Sequence, residues 1–172
     1  ETPGKINTEQ TIISARKRAE ELGIKQIVVA STHGYTAKQT KSVFGSLDVN
    51  IIAVSICASF DEAGWTMTSD ECKELEDMGI KVLTCIHSLG DDVNEAFGIT
   101  APNKIVRETL YRFCQGMKVA VEIAIMAADA GLIDTSKEVI AIAGTGGGAD
   151  TAIVVKPAYA RKFTDFEIRE IL

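Results

Sequence analysis

Four apolar, β-branched runs alternate with helical patterns along most of this chain, and that alternation decides its fold class. The runs are 25–30, 49–56, 80–85 and 138–143. Runs this uniformly apolar suit strands covered on both faces. Strands that alternate with helices build a parallel sheet with right-handed crossovers and helices on either side. A fifth run, 151–155, follows the fourth after only Gly144-Thr145-Gly146-Gly147-Gly148-Ala149-Asp150, which is too short for a crossover helix. This last strand is therefore expected to run antiparallel at an edge of the sheet.

Local signals place the helices. The segment 7–22 has Asn7 as a candidate cap, Gln10 at the capping-box position, Gly23 as a stop, and an apolar face from Ile12, Ala15, Ala19 and Leu22. A short helix, 36–44, opens straight out of the loop after the first strand. Thr68 and Glu71 form a capping box for a helix through Met78, which Gly79 closes. The stretch 58–68 reads as a loop carrying the only tryptophan, Trp65, and 87–100 reads as irregular. Pro102 suits the first turn of one long helix reaching about Ala130. Its charged residues Lys104, Arg107 and Glu108 read as a solvated face. Phe163 and Phe166 in the tail are expected to pack back onto the body.

At 172 residues the chain has the size of one domain, 1–172. A net charge of −6 argues against a nucleic-acid-binding face, which needs clustered Lys and Arg. One phosphate held by a local nest of amides is still compatible with that charge. Cys57, Cys72, Cys85 and Cys114 show no zinc spacing and read as reduced cytosolic thiols. No secretory signal is visible, and the most apolar stretch, 119–130, is too short to span a bilayer. A start at Glu1 without Met leaves room for a few missing or processed residues. The expected setting is cytoplasmic, without a membrane, and the C-terminal edge strand offers a surface for homo-oligomer pairing.

Two loops carry the functional signal. Ser31-Thr32-His33-Gly34-Tyr35-Thr36 follows the first strand, and Gly144-Thr145-Gly146-Gly147-Gly148 follows the fourth. Turns rich in hydroxyls and glycine at strand ends can present backbone N–H groups to an anion. The first loop lacks the Gly-Lys-Ser/Thr of a Walker motif, yet a helix starting at Thr36 would direct its positive end there. Plain N-capping by Ser31 or Thr36 is the competing explanation. The glycine loop formally fits G-x-G-x-x-A, but a strand follows it where the dinucleotide fingerprint requires a helix. A glycine-rich hairpin turn is the competing explanation there. His33 and His87 lie just past the C-terminal ends of expected strands, where α/β sheets bind ligands, and are candidates for polar contacts. No metal site is expected from two histidines without acidic neighbours at ligand spacing.

With both loops in view, the chain resembles the C-terminal α/β domain of pyruvate kinase. In that domain a strand leads into a Thr-x-Ser-Gly-x-Thr-Ala loop, here Ser31-Thr32-His33-Gly34-Tyr35-Thr36-Ala37, with His33 in place of a small hydroxyl residue. The run from Val139 through the glycine loop to Val155 is the second match. Free-standing archaeal and bacterial proteins of this fold are more similar still, through Pro3-Gly4-Lys5-x-Asn7-Thr8, 116–132 and Asp165-Phe166-Glu167-Ile168. The resemblance implies a three-layer α/β/α sandwich of five strands. It also implies that no kinase chemistry occurs here, because the catalytic barrel is absent. It further implies a phosphorylated small molecule at the C-terminal edge of the sheet, with flavin mononucleotide (FMN) the first candidate cofactor. On that view Ser31, Thr32, Gly34 and Thr36 hold the phosphate, Gly144 to Gly148 line the opposite wall, and Tyr35, His33 and His87 border the ligand. A non-catalytic sensor of a sugar phosphate, and a structural or partner-binding module, are the alternatives.

Overall fold

The computed structural model describes residues 2–90 and 92–172. Its centre is one sheet of six strands in the order β3-β2-β1-β4-β5-β6. In chain order these are β1 (Gln26–Ala30), β2 (Asn50–Ser55), β3 (Lys81–Thr84), β4 (Val139–Ala143), β5 (Thr151–Lys156) and β6 (Glu167–Ile171). β1 pairs in parallel with β2 and β4, and β2 with β3. β4 and β5 form the expected antiparallel hairpin, with Ala143 opposite Thr151.

Helices cover both faces. On one lie α1 (Thr8–Leu22), α2 (Tyr35–Phe44) and α3 (Ser69–Asp77), whose Ile12, Ala15, Ala37, Phe44 and Leu75 pack on Ile27, Val29, Ile51 and Ile142. On the other lies α6 (Gln115–Asp129), which buries Met117, Ala120, Val121, Ala124 and Ala128 against Val28, Ile52, Ala141 and Ile153. Alternate residues of each strand thus face opposite layers, as the pleat requires. Among the described residues no helix is long and apolar enough to cross a membrane.

Several expectations need correction. The fifth strand is not at the edge: β6 pairs antiparallel with it and takes that place. The single helix from Pro102 to Ala130 is two, α5 (Pro102–Tyr111) and α6, preceded by a short α4 (Asp92–Ala96) inside the stretch read as irregular. The chain breaks at Cys114, which is fully extended and caps α6 by accepting the Met117 N–H at 3.2 Å on Sγ. Arg107 is not simply solvated, since it reaches Glu95 of α4 at 2.9 Å and ties the two helices together. Asn7 does not cap α1; its amide donates to the carbonyls of Thr2 and Gly4 instead.

Candidate functional site

The strand order fixes where a ligand can enter. From β1 the chain moves outward to β2 and β3, then returns to the far side of β1 as β4. Loops leaving two adjacent strands in opposite senses open a crevice at their C-terminal ends. Here those loops are 31–34 and 144–150, the two that the sequence singles out.

The first loop turns into α2 at Gly34, whose left-handed φ of 84° lets the chain enter the helix at Tyr35. Gly34 has no side chain to cap α2. Ser31 supplies the nearest substitute: its buried Oγ accepts from Ala37 N at 3.4 Å. Ser31 thus serves the helix itself, as the capping explanation holds. Thr36 is also buried, and its carbonyl accepts the Thr40 hydroxyl. Thr32 is exposed, while its carbonyl accepts from Ser55 Oγ at 3.4 Å. Tyr35, the first helical residue, is 41% exposed.

His33 is held from two sides. Its Nδ1 lies 3.2 Å from Glu71 Oε2, and its Nε2 lies 3.0 Å from the Gly64 carbonyl. Both partners are acceptors, so only the doubly protonated ring satisfies both. The hydrogen bond to Glu71, followed by that to Gly64, raises the His33 pKa above its ordinary value. The Thr68 N–H chiefly, with His33 and the Thr68 hydroxyl adding to it, lowers that of Glu71. Glu71 completes the expected capping box of α3 with Thr68 through the same Oε2. One carboxylate oxygen therefore starts a helix and fixes the His33 ring at the lip of the first loop.

The glycine loop is fastened to the N-terminal segment. Asp150 Oδ2 accepts from Gly4 N at 2.7 Å and from Thr145 N at 3.1 Å, while Ala149 N donates to Thr8 Oγ1 at 2.9 Å. A Cβ on Gly148 would fall 2.3 Å from Thr8 Oγ1 and 2.7 Å from Lys5 Cα, so only glycine fits. Gly146 and Gly147 are exposed and would meet nothing within 4 Å. Lys5 joins the two loops: its backbone abuts Gly148, and its Nζ sits 4.2 Å above the Tyr35 ring.

His87, after β3, packs its ring on Phe60 with centroids 5.5 Å apart. Phe60 belongs to the 3-10 turn Ala58–Ala63 and stacks on Trp65 at 5.8 Å, the planes 10° apart. His33 and His87 therefore both meet the segment that follows β2, from opposite sides. On the other flank of the glycine loop a groove of about 350 Å³ is lined by Asn7, Gln10, Thr11, Cys114, Thr145 and Asp150 among others. Thr145 is the one expected site residue that lines it.

Sequence reasoning missed Lys5, Glu71, Asp150 and the Phe60–Trp65 pair as parts of this edge. Glu71 was visible only as a cap and Trp65 only as a loop tryptophan. Lys5 stood inside a matching motif without a role. Among the described residues no group of three or more His, Cys, Asp or Glu side chains is placed to hold a metal ion.

The family model for the pyruvate kinase alpha/beta domain matches residues 9–155. The chain belongs to this family. It is also similar to two crystal structures of pyruvate kinase from Cryptosporidium parvum. One has 15% identity and a TM-score of 0.44, covering 88% of this chain and 23% of the enzyme. The other has 16% identity and a TM-score of 0.38, covering 79% and 20%. The chain thus spans less than a quarter of the length of those enzymes.

Proposed function

We propose that this pyruvate kinase alpha/beta domain binds a phosphorylated small molecule, FMN first, in the crevice between the loops after β1 and β4. The observation that carries the reading is the start of α2. Apart from Ser31 on Ala37 N, the glycine-led start of α2 carries no side-chain cap, which leaves the positive end of the helix for an anion. One cation, Lys5, lies over the Tyr35 ring at the first residue of that helix, and His33 beside it is held by Glu71 and the Gly64 carbonyl.

In this reading the amides of Gly34, Tyr35 and Thr36 and the Thr32 hydroxyl hold the phosphate. Gly146 and Gly147, open and without side chains, let the ligand approach the backbone on the β4 side. Ser31 positions the helix. FMN, when bound, supplies redox capacity. The residues here bind, orient and exclude water, and none of them is assigned a proton transfer. The free thiols suit a reducing cytosol.

The test is direct. Purified protein incubated with FMN and desalted should retain flavin that fluoresces on denaturation, and FMN should raise the melting temperature. Replacing Thr32 and Gly34 together, by alanine, should abolish both effects. A protein that takes up no FMN but is stabilised by sugar phosphates is a sensor instead. One that responds to no phosphorylated compound is neither.

A further inference from the structure

The segment after β2 displays Trp65, 52% exposed and stacked flat on Phe60, while Ile86 beside His87 is 73% exposed. An indole displayed in this way can stack with a flat ring. Its position is set by the first loop: His33 holds the Gly64 carbonyl, and Trp65 is the next residue. Glu71 in turn fixes His33. Phe60 is backed by His87, so the stack is supported from β3 as well.

We propose that Trp65, backed by Phe60 and His87, is a stacking wall for a flat heteroaromatic ring on the β2 side of the first loop, so that a phosphate held at the start of α2 binds more tightly when it belongs to an aromatic nucleotide than when it belongs to a sugar. The inference rests on the phosphate site described above. A small sugar phosphate held at α2 covers less of the indole than a flat heteroaromatic ring does. A ring joined to the phosphate by a sugar or a polyol chain can cover the indole while its phosphate stays at α2. Stacking on an aromatic side chain does not read the edge of the ring, so the wall favours flatness over one particular base.

The probes are FMN and ribose 5-phosphate, with Trp65→Ala, Trp65→Phe and Phe60→Leu as variants of the full chain. Trp65 is the only tryptophan, so its emission reports from this one place. FMN should bind at least about tenfold more tightly than ribose 5-phosphate and should quench Trp65. Trp65→Ala should weaken FMN about tenfold or more while leaving ribose 5-phosphate unchanged. Trp65→Phe should stay within about threefold of the parent, which guards against a folding artefact. Equal FMN affinity in the parent and Trp65→Ala overturns the wall and spares the phosphate site. Ribose 5-phosphate binding as tightly as FMN also overturns it. If the parent binds neither probe, the phosphate site itself is wrong and the wall falls with it.

Discussion

His33 and Glu71 meet across the gap between the first loop and α3, Nδ1 to Oε2 at 3.2 Å, while the other ring nitrogen of His33 reaches the Gly64 carbonyl. Neither residue is close to the other in sequence, and the pair ties the first loop to the connection between β2 and β3 at two points, Gly64 and Glu71.

The pair predicts a pH window. The His33 pKa is raised, so its contribution to stability is complete below the ordinary histidine value of about 6.5 and is lost as pH rises through the raised value. The Glu71 pKa is lowered, so its contribution is present above the ordinary glutamate value and is lost as pH falls through the lowered one. The link is therefore intact between those limits. Titration of His33 by NMR should show a midpoint above 6.5 that drops in Glu71→Gln. Phosphate-ligand affinity should fall as pH rises through that midpoint. An unshifted His33 in both proteins would break the argument.

The glycine loop predicts unequal costs for equal substitutions. Gly148→Ala forces a Cβ into Thr8 and the Lys5 backbone at a positive φ, and should cost about 2–4 kcal/mol. Gly146→Ala meets open space and pays only for its left-handed backbone, about 1 kcal/mol. Urea denaturation measures both.

A buried ion pair joins Lys118 and Glu122 on α6, where their side chains are 8% and 3% exposed. Glu122 Oε1 also accepts from Leu89 N at 3.0 Å, which anchors the connection after β3. Glu122→Leu alone strands a buried ammonium and should cost about 3–5 kcal/mol. Adding Lys118→Met should recover most of that loss. The double variant should stay about 1 kcal/mol short, because the Leu89 N–H loses its acceptor.

Lys5 predicts a purely functional effect. Lys5→Gln leaves the backbone contact with Gly148 and removes the cation over Tyr35. Phosphate-ligand affinity should fall about three- to tenfold, with a weaker dependence on salt, while the melting temperature in the absence of ligand stays put. Isothermal titration at two salt concentrations decides it.

β1, β2 and β4 were legible because they are buried on both faces and so read as unbroken apolar runs. β6 was not, because an edge strand needs no such run. Its two isoleucines, Ile168 and Ile171, are three apart, a spacing that an unbroken strand does not favour. The register shift opposite Val154 and Val155 leaves no residue of β5 opposite Arg169 in the ladder and accounts for that spacing. The break at Cys114 carries no proline, and the thiol that caps α6 is not a usual capping group. At the sheet edge the two loops were readable as glycine and hydroxyl patterns at strand ends. The contacts of Glu71 with His33, Asp150 with Gly4 and Lys5 with Tyr35 join residues far apart in sequence, and no local pattern announces them.

The account stands or falls on where a phosphate binds. Backbone amide NMR of the uniformly labelled protein, titrated with FMN, reads this residue by residue. The amides of Gly34, Tyr35 and Thr36 should move most, with Gly146 and Gly147 next. Movement confined to the groove beside Cys114 and Asp150, or none at all, would contradict the assignment of the crevice between β1 and β4.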